Sequence, residues 1–289
     1  MVSNKSERVF QTLNNLFFLL VSLLMIAPMV NLLAISLSSA RYVNTKEVAF
    51  WPKGFNWGVY EKLFGLSSIW KSMEISLIIT AAGTLITLCL GSTLAFSLSR
   101  PRMKGRKLIL TAIIITFIFS VPLIPSYLLV TALGMKNTLW ALMIPSALSA
   151  FYILILKSFF EGISVEVFES AKIDGCTELG IFTRMVLPLS KAVLATIALF
   201  HAVYQWNNYF NALVFISKPA LYPMQIILRN MIVNDMAQNT LNTVEATSHT
   251  TPEMIKAGTI LFATAPILLV YPFIQRYFVK GAMLGAVKE

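Results

Sequence analysis

The sequence predicts an all-α integral membrane protein of six transmembrane helices, and three observations carry that prediction. Of 289 residues, 57% are hydrophobic and only 12% charged, with a mean hydropathy of +0.73, far from a soluble globular domain. Six intervals free of Asp, Glu, Lys and Arg are long enough, or nearly so, for the roughly 20 apolar residues that a span requires: 9–40, 75–99, 108–135, 137–156, 192–217 and 257–275. Between the fourth and fifth lies the longest charge-bearing segment flanked by strongly apolar runs, 164–188, which reads as two short helices joined by a tight turn.

Taken in order, the first interval ends in Ser38-Ser39-Ala40, the kind of small-residue site at which a signal peptide is cleaved. Its apolar part, from about Leu16 to Leu37, is longer than the roughly 7–15 residues of a signal core, so it is expected to stay as a membrane anchor. Segment 41–74 carries Trp51, Trp57, Tyr60 and Trp70. Such aromatics suit the membrane–water boundary, the reading preferred here, although a surface for an external partner is an alternative. Residues 1–74 are expected to form an N-terminal tail, first span and outer loop, and 75–289 the core transmembrane domain.

Orientation follows from Lys and Arg, which collect on the cytoplasmic side. With the N-terminus inside, fourteen of the 23 basic residues are cytoplasmic and nine outside, and the decisive cluster is Arg100, Arg102, Lys104, Arg106 and Lys107. Both termini are therefore expected in the cytoplasm. The net charge of +10 is accounted for by topology and membrane lipid, so no nucleic-acid partner is expected. Cys89 falls in an apolar run and Cys176 in segment 164–188, so no disulfide is implied.

Pro122 and Pro125 fall in the third interval and Pro145 in the fourth. Each frees backbone carbonyls, which must be satisfied by a neighbouring helix or by a water-lined cavity. The fifth interval contains His201-Ala-Val-Tyr204-Gln205-Trp206-Asn207-Asn208-Tyr209-Phe210-Asn211, unusually polar for a span. Polar groups at membrane depth face the bundle or a cavity. Tyr204, Trp206, Asn207, Asn208 and Asn211 are the candidates for a substrate path, because amides suit sugar hydroxyls and aromatic faces suit pyranose C–H groups. Hydrogen bonding between helices is the competing role. Segment 218–256 is a long outer loop with a polar tract, Asn234 to Thr251, and a basic tail follows the sixth interval.

In segment 164–188 the Ser164 hydroxyl is placed to cap free amides, with Glu166 in the first turn. Asp174-Gly175 breaks this helix, since Gly tolerates positive φ and Asp favours turns. The next helix starts near Thr177 and sets Leu179, Phe182 and Met185 or Val186 on one apolar face. Pro188 marks the bend into the fifth interval.

Glu169-Ser170-Ala171, Gly175 four positions on, and Leu187-Pro188 resemble the EAA loop of permease subunits in binding-protein-dependent ABC importers. Ser170 stands where that pattern has Ala after the Glu, and Met185 where it has Ile. Phe50-Trp51-Pro52, Gly54-Phe55, Trp206-Asn207 and Gln275-Arg276-Tyr277 extend the likeness to carbohydrate-uptake permeases, especially the second permease of maltose-like importers that serve complex oligosaccharides. The resemblance implies the type I permease fold and a heterodimer with a homologous permease subunit. It also implies two cytosolic ATPase subunits that bind ATP and Mg, an extracellular solute-binding protein and a sugar substrate, with transport by alternating access. It assigns Glu169, Ser170, Ala171, Asp174, Gly175, Leu187 and Pro188 to the element that docks on the ATPase.

Competing functions find less support. No HExxH, GxSxG or paired intramembrane carboxylates occur, which removes the usual catalytic constellations. No GxxxxGK[ST] motif is present, so the subunit itself is expected to hydrolyse no ATP and to hold no cofactor or metal. An ion-coupled secondary transporter of a polar solute is the alternative, but the six intervals carry no ionisable residue besides His201.

Overall fold

The computed structural model describes residues 5–119, 121–238 and 250–286, and these are helical with no β-strand among them. In a bilayer only helices and closed barrels satisfy every backbone group internally. Three helices are long and apolar enough to cross a membrane: Glu7–Ser36, Ser67–Ser99 and Pro252–Val270. Two bent pairs pass the same test together: Arg106–Ile118 with Leu123–Ala132, bent by 119°, and Glu178–Leu189 with Lys191–Trp206, bent by 79°.

Proline marks the breaks in the third and fourth intervals. Pro122 lies between the halves of the third interval and precedes Leu123–Ala132. The fourth interval, expected as one helix over 137–156, is divided into Trp140–Met143 and Ala150–Glu161. Pro145 lacks an N–H and cannot extend the first piece. The fifth interval is also divided, into Lys191–Trp206 and Tyr209–Phe215, at Asn207-Asn208. The Asn208 side chain then accepts from the Asn211 amide at 3.3 Å and caps the second piece.

The chain forms two compact units. One comprises Met1–Trp70 and Leu228–Ala265; the other comprises Lys71–Ile227 and Pro266–Glu289. In the first unit, helix Glu7–Ser36 buries none of its most apolar window within the chain, leaving a surface fit for lipid. The following loop folds back on it: Asn31 donates to Ala49 O at 2.6 Å, and Asn56 N donates to Leu37 O at 2.9 Å. Trp57 stacks on Tyr60, and Phe64 on Trp70, while Trp51 stays 81% exposed. Close approach in this unit requires Gly258, where an added Cβ would lie 2.6 Å from Val59.

The second unit carries the main core. Ala95, Leu98, Leu156, Phe160, Ala171, Ile181, Phe182, Val186 and Ile197 are buried in one cluster that joins helix Ser67–Ser99 to Ala150–Glu161 and to both halves of 164–188. Arg106 reinforces that end, with Nε donating to Leu98 O at 2.7 Å and Nη2 paired with Glu161. Of the expected polar tract Asn234–Thr251, residues 239–249 lie outside the described residues, as do Val287 and Lys288 of the tail.

Candidate functional site

Segment 164–188 folds as its residues dictate. Ser164 Oγ accepts from Glu166 N at 3.3 Å and starts the helix Val165–Ile173. Gly175 ends it with φ +78. Gly175 N donates to Lys172 O at 3.1 Å and Cys176 N to Ala171 O at 2.9 Å, the paired bonds of a Schellman termination. Thr177 Oγ1 then accepts from Gly180 N at 3.2 Å and opens the next helix. A π-helical turn, Phe182–Val186, leads through Leu187-Pro188-Leu189 to the bend at Ser190.

The candidates here separate by exposure. Ala171 is fully buried and Leu187 partly so, whereas Glu169, Ser170, Asp174, Gly175 and Pro188 are exposed. Apart from Gly175 and its two chain neighbours, no atom of the described residues lies within 4 Å of a Cβ placed at Gly175, so its glycine answers to backbone conformation and the space beyond it is open. Glu166, Glu169 and Asp174 form no ion pair among the described residues. Outward-facing apolar groups accompany them: Ile173 is 86% exposed and Leu179 70%. Of the expected face, Phe182 and Val186 are buried together with Ile181, whereas Leu179 is turned outward.

Arg100 joins the two halves of this segment to the end of Ser67–Ser99. Its guanidinium carbon lies 4.4 Å from the Phe96 ring centroid and 3.7 Å from that of Phe168, both within cation–π range. Its Nε is 3.9 Å from Glu178 Oε2, and Lys172 Nζ is 2.7 Å from Glu178 Oε1. The Lys172 hydrogen bond holds the Glu178 carboxyl below its ordinary range; partial burial opposes this, and the charges of Lys172 and Arg100 add to it. Arg100 was legible only as one of five clustered basic residues, because nothing local marks which of them turns inward.

The polar stretch 201–211 is divided in another way. His201 and Gln205 are buried, at 1% exposure each. His201 Nε2 bonds Thr87 Oγ1 at 3.0 Å, and Gln205 Nε2 donates to Leu142 O at 3.1 Å. The helix ends at Met143, so Leu142 O has no backbone donor four residues on; Gln205 from a neighbouring helix and the Ser146 hydroxyl, at 3.2 Å, take its place. Gly83 makes room for this contact, since a Cβ would come within 2.6 Å of Gln205 Nε2. Gln205 and Gly83 were not among the candidates, though a polar residue spaced from a proline break across the sequence is the signal that connects them.

Among the nominated residues, Tyr204 and Asn207 are exposed, Asn208 and Asn211 half-buried, and Trp206 buried at 5%. Asn207 Nδ2 donates to Val203 O at 2.9 Å, Asn208 Nδ2 to Gln205 Oε1 at 3.4 Å, and Asn211 Nδ2 to Tyr204 Oη at 3.5 Å. Tyr204 and Asn211 thus meet across the break, and Tyr204 and Asn207 keep exposed surface. Trp206 lines an apolar cleft with Leu77, Thr80, Leu199, Ala202 and Val203, which suits packing better than a sugar ring.

Comparison with known proteins places these features in a wider set. The family model described as "Binding-protein-dependent transport system inner membrane component" matches residues 87–283, more than half of the chain. A Bacillus subtilis (strain 168) polygalacturonan/rhamnogalacturonan transport system permease protein, YtcP, is 39% identical over 98% of this chain and 99% of its own. Protein LplC of the same organism is 40% identical over 100% of this chain and 98% of its own. A chain from the crystal structure of a bacterial ABC transporter involved in import of the acidic polysaccharide alginate superposes with a TM-score of 0.88. That chain is 28% identical, with 96% of this chain and 99% of that one covered.

Proposed function

The chain belongs to the family of binding-protein-dependent transport system inner membrane components, and from that premise we propose that segment 164–188 is where ATP hydrolysis in partner subunits drives its membrane helices. The protein is the membrane permease subunit of a sugar-importing ABC transporter. In our reading it pairs with a homologous permease, two cytosolic ATPases that bind ATP and Mg, and an extracellular solute-binding protein. Both termini face the cytoplasm, as the Lys and Arg distribution favours.

One observation carries the docking reading. The segment is apolar beneath, with Ala171, Ile181 and Val186 fully buried. On top it exposes Glu169, Ser170, Asp174 and an open Gly175 beside bare Ile173 and Leu179. Unpaired acids around exposed apolar side chains fit a partner cleft with basic edges and an apolar floor. Pushing on the segment moves whatever is packed beneath it, and through Pro188 the bend at Ser190 passes motion to Lys191–Trp206. Alternating access is the resulting mechanism, with Tyr204, Asn207, Asn208 and Asn211 on the substrate path and Trp206 kept for packing.

The test is capture of the ATPase from detergent-solubilised membranes by the intact chain and by a chain with 164–188 scrambled. Retention that depends on the segment supports the reading. An intact chain and a scrambled chain that retain the ATPase equally would overturn the docking reading. Uptake assays should begin with acidic oligosaccharides, because two of the similar proteins are named for polygalacturonan/rhamnogalacturonan and for alginate.

A further inference from the structure

We propose that Arg100 is a positioning residue that clamps both halves of segment 164–188 to the end of helix Ser67–Ser99, so that the two move as one body during transport. The inference rests on the docking reading above. It starts from the cost of placing a guanidinium where this one lies. The Arg100 side chain is only 22% exposed, and neither its Nε nor its Nη2 makes a hydrogen bond among the described residues. Arginine carries five N–H donors, and leaving the three on these two nitrogens buried and unbonded has to be offset.

Two ring faces supply the compensation. Phe96 belongs to the helix that Arg100 terminates, while Phe168 belongs to the short helix Val165–Ile173. The cation lies between them, at 4.4 Å and 3.7 Å from their centroids. Glu178, 3.9 Å away, stands on the other half of the segment and is held in turn by Lys172 of the first half. Phe96 also meets Phe182 at 5.0 Å between centroids. One flat cation therefore touches three elements, and a partner that moves Val165–Ile173 must carry Arg100 with it or break the stack.

Lysine keeps the charge but has no planar face, so Arg100→Lys separates stacking from electrostatics. Phe168→Leu removes one ring and keeps an apolar plug, and it decides the matter if the first variant does not assemble. Both are measured in the full complex, reconstituted with ATPases and binding protein, as sugar imported per ATP hydrolysed. The ratio is expected to fall roughly three- to thirtyfold, the span of mutations that alter coupling without touching either site, while the amount of assembled complex holds. A spin-label distance between positions 173 and 90, with Cys89 and Cys176 replaced by Ser, should stay constant through the ATP cycle in the otherwise native chain and broaden in Arg100→Lys.

A purely structural role predicts import and hydrolysis falling together with assembled complex, with the distance unchanged, and that result would overturn the clamp. So would an unaltered ratio in both variants while Gly175→Trp uncouples, and the docking reading then survives alone. Normal coupling in Gly175→Trp removes the docking reading and the clamp with it.

Discussion

Segment 164–188 and the polar stretch 201–211 are both islands of polarity among apolar runs, yet they spend their polar groups in opposite ways. The first turns Glu169, Ser170 and Asp174 outward and buries an apolar underside. The second turns His201 and Gln205 inward, where Thr87 and the Leu142 carbonyl use them. A polar group that the chain leaves unused is available to a partner, whereas one that repairs a broken helix is part of the scaffold. The contrast explains why docking is read at the first region, and why only the outer rim of the second is read as substrate path.

The strongest way to break this comparison is Gly175→Trp. Its φ of +78 strains any side chain, and the space around it is empty within the chain, so the indole meets the partner first. Uptake should drop to background while membrane insertion holds and stability falls by no more than about 1–2 kcal/mol, the cost of one residue in the left-handed region; a larger loss of stability would make the position a folding determinant. Next comes Ala171→Leu, which drives a larger side chain into a fully buried site. It should cost about 1–3 kcal/mol by overpacking, visible in thermal unfolding of the purified chain.

Gln205→Leu probes the other region and should destabilise by about 0.5–1.5 kcal/mol, because Leu142 O loses one donor and keeps the Ser146 hydroxyl. Gly83→Ala acts on the same contact, so it should be costly in the native chain and nearly silent in the Gln205→Leu background. Additive losses would mean that the two positions are not coupled. Asn207→Ala is milder, since this side chain only bonds its own helix. A stability change within about 0.5 kcal/mol is expected, with a loss of uptake if the exposed rim meets sugar.

Acidification gives the smallest effect. Glu178 has its carboxyl held below the ordinary range, chiefly by Lys172. A lowered folded value means its contribution is present above the unfolded pKa of about 4.3 and is lost as pH falls through the folded value. The pair is more than half exposed on the Glu178 side, so Glu178→Gln should flatten the acid limb of a stability profile only slightly.

Much of this was readable from local sequence. Spans follow from the absence of charge over some 20 residues, and caps and turns from single residues. Ser164, Thr177 and Gly175 fall where their chemistry places them, because a cap or a positive φ is decided within four or five residues. Proline announced where carbonyls would be released, but not whether a neighbouring side chain or a cavity would receive them. Gln205 decides that, 63 residues beyond Leu142.

What the sequence determined by itself is therefore the solvent, the helical class and the local breaks of the chain, since these depend on composition and short-range geometry. Tertiary structure alone decided which polar residues are consumed. It turned Arg100 inward between Phe96 and Phe168, lodged Gln205 against Gly83, and left Asp174 and Gly175 bare. The reason is that burial and partnership are properties of facing surfaces, and a surface exists only once elements distant in sequence have packed.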